Sequence, residues 1–245
     1  MMLGLPAVVA GTFEPVKPSN RLLASLSAAD LALLGPFRES SLERGAVLQE
    51  PGRAIEHVYF PLGGVISLVV RMQSGEIVET VPIGREGALG TGIALGASRP
   101  LVTAIVQLPG MAVRIPAAQF QAAASRSIPI RRLAIHCSEL LTGEMQQSVA
   151  CSMLHDAEAR LCRYLLQTSD RIGSDLVPLT QDVLAQMLGV RRTTVTIEAR
   201  LLQSKGLIRY RRGQIQIVDR AALEGAACEC YRSIRDLTDR LLLSA

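Results

Sequence analysis

Two groups of side chains in the C-terminal third have the types and spacing to grip a nucleic acid. One is Arg191, Arg192, Thr193, Thr196 and Arg200; the other is the pair Arg211 and Arg212. An arginine in the first turn of a helix can offer paired donors to O6 and N7 of a guanine, and the helix N-terminus favours a phosphate. Arginines at the tip of a hairpin would meet the sugar–phosphate backbone, a contact that fixes register and carries little base information. From Pro178 to Gly225, eight Lys or Arg stand against four Asp or Glu, a surplus equal to the formal net charge of +4 of the whole chain. Charge runs are often plain solvated faces, so this basicity acquires meaning only from the elements that carry it.

Those elements are legible from 179 to 218. Thr180 precedes an apolar-periodic run and is placed to cap a helix whose inner face is Val183, Leu184, Met187 and Leu188, with small Ala185 where a second helix approaches. Gly189 supplies the left-handed turn, and Val190 can plug the angle beyond it. A second helix, roughly Arg191 to Gln203, turns Val195, Ala199 and Leu202 inward and leaves Arg192, Thr193, Thr196 and Arg200 outside. Glu198 falls near the inward stripe and needs a rim position or a cation such as Arg209. After Gly206, the runs Leu207 to Tyr210 and Gln214 to Ile217 flank Arg211-Arg212-Gly213, the pattern of a hairpin with a cationic tip. Two helices around a glycine turn followed by a basic hairpin make a winged helix-turn-helix, and its expected partner is double-stranded DNA.

Upstream, the chain from 45 to 115 is a series of short apolar runs broken by glycine or proline, such as Val65 to Val70, Ile77 to Val81 and Thr103 to Val106, which fits a small antiparallel barrel. Pro116 to Ser125 is expected to be a short helix. Pro129 is placed to open a long helix running to about Thr168, with an apolar stripe of Ile130, Leu133, Cys137, Leu140, Leu141 and Met145. A helix of that length cannot hide its stripe in one small domain, so a partner helix is implied. The expected organisation is a mobile tail over 1–20, a barrel with flanking helices over 21–127, the long helix over 128–170 and the DNA-binding unit over 171–245. The apolar start, Met1 to Ala10, lacks a basic region and a cleavage site and is taken as a tail rather than a signal peptide. Apolar content of 49% with 20% charge suits a folded protein, and no run of eighteen apolar residues is present to span a membrane.

Leu188-Gly189-Val190-Arg191-Arg192-Thr193 and Gly206-Leu207-Ile208-Arg209-Tyr210, with Gly45 to Leu48, Pro51-Gly52, His57 to Pro61 and Gly63 to Leu68 upstream, resemble the Crp/Fnr superfamily of bacterial transcription regulators over roughly residues 40 to 245. The resemblance implies an α+β chain with an N-terminal double-stranded, jelly-roll-like β-roll, a long dimerisation helix and a C-terminal winged helix-turn-helix. It also implies a cytoplasmic homodimer that binds an inverted repeat, with sensor-controlled helix spacing and RNA polymerase as a partner. In many relatives an arginine, a glutamate and a second arginine read the bases. Here Arg192 matches the first, while Thr193 and Ile197 take the other two places, so a different operator is expected.

The resemblance also directs attention to Gly84–Pro100, where cyclic-nucleotide-binding relatives carry a glycine-glutamate pair for the ribose and an arginine followed by serine or threonine for the phosphate. Thr91 follows Gly90 where the carboxylate belongs, and Pro100 follows Arg99, removing a backbone amide. Arg85, Thr91 and Arg99 remain the effector candidates, with cyclic nucleotide disfavoured as the ligand. None of the five cysteines, Cys137, Cys151, Cys162, Cys228 and Cys230, forms the N-terminal cluster of iron–sulfur members, and no CxxC occurs. Cys228 and Cys230, if both helical, would face about 200° apart, and the stripe Leu223, Ala227, Cys230, Ile234 marks Cys230 as core. His136 and His155 on one helix would stand about 28 Å apart, too far for a shared ion. No metal site, iron–sulfur cluster, haem or other cofactor is therefore expected, and unpaired thiols suit a reducing compartment.

No GxSxG, HExxH, P-loop or Rossmann fingerprint occurs, and Glu139 and Glu144, five residues apart, face different ways, so the chain is not expected to be an enzyme. Two competing readings stand beside a DNA-binding regulator: a cyclic-nucleotide-activated member of the same class, and a ligand-binding or interaction protein that uses the winged domain for protein docking.

Overall fold

The computed structural model describes residues 19–243, so the expected tail lies almost wholly outside the described residues. Asn20 anchors the start of the described chain. It is buried; its Oδ1 accepts from the amides of Leu22 and Leu23 to cap α1 (Arg21–Ala24), and its Nδ2 donates to the carbonyls of Pro61 and Gly87. α2 (Ala28–Leu33) follows, capped by Ser27.

Seven strands then build two facing antiparallel sheets: β1 (Arg38–Leu42), β2 (Val47–Gln49), β3 (His57–Pro61), β4 (Val65–Arg71), β5 (Ile77–Ile83), β6 (Thr103–Leu108) and β7 (Gly110–Pro116). One sheet runs β1-β7-β3 and the other β2-β6-β4-β5. Ile66, Ile83, Val106 and Ala112 fill the space between them. A 3-10 helix, Thr91–Leu95, and α3 (Ala117–Arg126) close the side against which the long helix lies. This is the expected β-roll.

α4 (Ile128–Leu154) begins as anticipated, with Ser127 accepting from the amide of Ile130 and Pro129 in the first turn. The helix does not run on to Thr168: His155 is extended (φ −109°, ψ 145°), and Asp156 caps a separate α5 (Ala157–Ile172) by accepting from the amide of Ala159 at 2.8 Å. An aspartate can be read as a surface residue in a periodic pattern, but here it satisfies the orphan amides of a new helix. Apart from Met145, the expected apolar stripe is also not the free face. Ile130, Leu133 and Cys137 are buried in this chain's own core with Val58, Phe60, Val113 and Phe120. Ile128, Ile135, Met145, Val149, Met153 and Leu154 are the apolar side chains of α4 left exposed.

Beyond α5 come β8 (Leu176–Val177), α6 (Gln181–Leu188), α7 (Arg192–Ser204), β9 (Ile208–Arg211), β10 (Gln214–Ile217), α8 (Arg220–Ala226) and α9 (Cys230–Leu243). Strands β8-β10-β9 form a small antiparallel sheet. The core here joins Leu161, Leu165 and Leu166 of α5 to Leu184, Leu188, Val195 and Leu202, and it takes in Val65 and Leu108 of the β-roll. Arg171 near the end of α5 is the polar link. Its Nε donates to Glu86 in the loop after β5 at 2.8 Å, and a terminal nitrogen donates to Glu144 of α4 at 2.5 Å. Burial disfavours the Arg171 charge, but the Glu144 and Glu86 carboxylates overcome it and raise the pKa of the guanidinium.

Candidate nucleic-acid interface

The two helices meet as their residues dictate. Thr180 Oγ1 accepts from the amide of Val183, Gly189 adopts the left-handed conformation (φ 62°), and the amide of Val190 returns to the carbonyl of Ala185. Val195, Ala199 and Leu202 of α7 are buried against α5 and α6. Arg191 sits at the N-cap of α7, and Arg191, Arg192, Thr193 and Arg200 are all exposed on the outer side. Ile197 shares that surface at 62% exposure, an unusual placement for a residue this apolar.

Arg192 rests on Asp182 of α6, Nε to Oδ1 at 3.3 Å, with the two side chains 65% and 61% exposed. A surface pair of this kind is worth at most about 1 kcal/mol, so the guanidinium is free to leave it. Thr196 behaves differently. It is half-buried, and its hydroxyl lies 2.7 Å from Gln181 Oε1 and 3.0 Å from the carbonyl of Arg192, so it braces α7 against the start of α6. Gln181 has no place in the sequence reading; its position one residue after a helix cap was its only signal. Glu198 forms no ion pair with Arg209; burial together with Glu158 and Asp156 raises its carboxyl, and Lys205, itself ion-paired with Glu158, opposes that rise.

The wing is tighter than the sequence suggests. Arg211 pairs with Gln214 across the hairpin, leaving Arg212 and Gly213 as a two-residue turn with φ 43° and 80°. Two positive φ values in a row are what the right-handed strand twist requires of a short hairpin loop, and Arg212 accepts that conformation without being glycine. Both arginines are exposed at the tip. Gln203 Oε1 accepts from the amide of Tyr210 at 2.9 Å, fixing the wing to the end of α7.

Residues 159–226 match the Crp-like helix-turn-helix domain family. The chain has the Crp/Fnr fold, with a Crp-like helix-turn-helix domain at its C-terminal side. FixK2 from Bradyrhizobium japonicum superposes with a TM-score of 0.69 at 14% identity, covering 79% of this chain and 98% of that one. A putative Crp/Fnr-family transcriptional regulator from Eubacterium rectale gives 0.62 at 18% identity over 84% and 96%. The c-di-GMP-responsive global regulator CLP from Xanthomonas campestris gives 0.62 at 16% over 79% and 100%. No curated protein matches the chain. The Crp-like domain starts inside α5, just after the break at His155 and Asp156.

The three effector candidates have different surroundings in this Crp/Fnr fold. Arg85 donates to the carbonyl of Asp170 at 2.9 Å and lines a cleft of about 370 Å³ with Arg21, Arg220 and Tyr231. Thr91 is buried beneath α4, and Arg99 is exposed further along the same segment.

The cysteines depart most from expectation. Cys228 is not helical: it lies in the connection between α8 and α9, and Cys230 opens α9, so the helical argument that turned them apart does not apply. They meet Cys151 from the last turn of α4 and His155 from the break after it, with the ligating atoms of all four within 4.8 Å of one another. Cys151 and Cys228 have sulfurs 3.5 Å apart, and Cys230 Sγ is 3.5 Å from His155 Nδ1. Hydrogen bonding from Cys228 pulls the Cys151 thiol down, and the same contact pushes Cys228 up. Cys162, outside the group, is pushed up to about 12 by burial. The spacing Cys151-x3-His155, one helical turn, was the available signal; joining it to Cys228-x-Cys230 needs the tertiary fold.

Proposed function

We propose that this chain is a sequence-specific DNA-binding transcription regulator of the Crp/Fnr type, working as a homodimer on an inverted repeat. The observation that carries the reading is the first turn of α7, where Arg191, Arg192 and Thr193 are exposed beside a cationic wing tip on a Crp-like domain. Arg192 leaves Asp182 to meet a base edge, Arg191 and Arg200 meet phosphate or a distal base, and Arg211 and Arg212 hold the backbone. Thr196 positions these groups through Gln181. Ile197 suits a thymine methyl, which gives its exposure on the outer face a purpose.

The second copy packs on the exposed side of α4. Ile128, Ile135 and Val149 stand at seven-residue multiples on that face, with Met145 beside them. A two-fold axis along α4 puts both α7 helices at one end, able to enter major grooves about 34 Å apart. The break at His155 and Asp156 is where the angle between the paired helices and the DNA-binding domains is set. RNA polymerase is the proposed further partner and the cytoplasm the proposed location; no described helix is long and apolar enough to cross a membrane. Arg85 lines the cleft, Thr91 is buried and Arg99 is exposed, surroundings that lend no support to an effector site built from the three. Selection from a random duplex pool tests the reading: an inverted repeat should be enriched, whereas a winged domain used for protein docking would enrich no motif.

A further inference from the structure

We propose that Cys151, His155, Cys228 and Cys230 form a closed tetrahedral site for a single zinc-class divalent ion, clamping the end of α4 to the connection between α8 and α9. The donor set is three thiolates and one imidazole, a combination that suits zinc in a structural site. With Zn–S near 2.3 Å and Zn–N near 2.0 Å, a tetrahedron has S–S edges of about 3.8 Å and S–N edges of about 3.5 Å. The Cys151–Cys228 and Cys230–His155 separations are both 3.5 Å, and no pair of ligating atoms exceeds 4.8 Å. A multinuclear iron–sulfur core needs its ligands further apart, so the spacing selects one ion.

The surroundings are those of a ligand set. His155 turns Nδ1 toward the cysteines, while Nε2 is 3.1 Å from the Glu229 carboxylate, the outer partner that fixes tautomer and ring orientation at histidine–metal sites. Gln147 Nε2 donates to Cys230 Sγ at 3.0 Å, a bond suited to a thiolate. Three thiolates and a neutral imidazole around a dication leave one net negative charge. Arg163 of α5, 8% exposed, hydrogen-bonded to Gln167 and without a carboxylate at ion-pair distance among the described residues, supplies the opposite charge.

The position gives the ion a structural consequence. Two ligands flank the end of α4, at the break from which α5 leads into the Crp-like domain, and two come from the segment that follows α8. One ion therefore ties the long helix to the far end of the DNA-binding half and stiffens the break between them.

The full chain, stripped with a chelator under reducing conditions, should take up about one zinc per chain with release of thiol protons. Cobalt(II) in place of zinc should give thiolate-to-metal charge-transfer absorption and the intense visible bands of tetrahedral coordination. Glu229→Gln alters only an exposed carboxylate and should weaken zinc about 10–100-fold; Cys230→Ser should weaken it further and diminish the charge-transfer band. Neither readout involves DNA, so the outcome is independent of the proposed regulator function. Absence of stoichiometric zinc uptake by the folded, reduced chain would overturn the assignment, as would an octahedral cobalt spectrum or a Glu229→Gln variant with unchanged affinity. A Cys151–Cys228 disulfide forming in air in a chain that takes up no metal would overturn it too, in favour of a redox pair.

Discussion

Glu144 of α4 and Arg171 of α5 form a 2.5 Å ion pair in which the side chains are 2% and 6% exposed. Burial raises the Glu144 carboxyl and Arg171 opposes that rise, so the pair depends on staying complete. Stranding a buried charge costs about 3–5 kcal/mol; Arg171 keeps Glu86 at 2.8 Å when Glu144 is lost, whereas losing Arg171 strands two carboxylates. Glu144→Ala should lower the urea midpoint while Glu86 still answers the Arg171 charge, and Arg171→Met, which strands both Glu144 and Glu86, should lower it further. A single variant as stable as the parent would show that α5 is not held to α4 through this ion pair.

Glu79 of β5 carries the clearest pH dependence. Burial pushes its carboxyl from 4.5 up to about 7, with Ser67 hydrogen bonding in opposition. A carboxyl raised in the folded state contributes stability that is fully present below about 4.5 and is lost as pH rises through about 7. Glu79→Gln removes that dependence. At pH 8 the variant should be more stable than the parent by about 1–3 kcal/mol, the two converging near pH 4 in parallel urea titrations.

The exposed side of α4 is tested with a charge. Val149 is 56% exposed in the single chain, so Val149→Glu should leave the monomer's fold intact while placing two carboxylates against each other in a dimer. Sedimentation velocity should show the variant shifted to monomer at concentrations where the parent is dimeric.

The wing makes a prediction about salt. Arg212 occupies a left-handed conformation that glycine adopts freely, so Arg212→Gly keeps the turn and removes the charge. Combined with Arg211→Ala, it should weaken binding to all duplexes by a similar factor. The slope of log affinity against log salt should fall by about 0.9 for each phosphate that the wing no longer neutralises.

The parts of this fold governed by local rules were legible in the sequence. Thr180, Gly189 and the inward stripe Val195, Ala199 and Leu202 specify the helix-turn-helix through capping, backbone freedom and period, and all of them occur as expected. The parts settled by tertiary packing were not. Whether α4 buried Leu133 or Val149 in this chain's own core depended on which face the β-roll covered, and both faces carry apolar residues. The break at His155 was hidden because Asp156 fits a helical surface as readily as a cap. Cys151 and Cys228 lie 77 residues apart, and only the packing of α9 against α4 brings them together.

Base reading by α7 through Arg192 is tested by selecting sites from one random duplex pool with the parent and with Arg192→Ala in parallel. The parent should enrich an inverted repeat. The variant should lose preference at one position in each half-site, by about 1–3 kcal/mol, and keep the ranking elsewhere. An Arg192→Ala protein that enriches the same repeat with the same preference at every position would rule out base reading by Arg192.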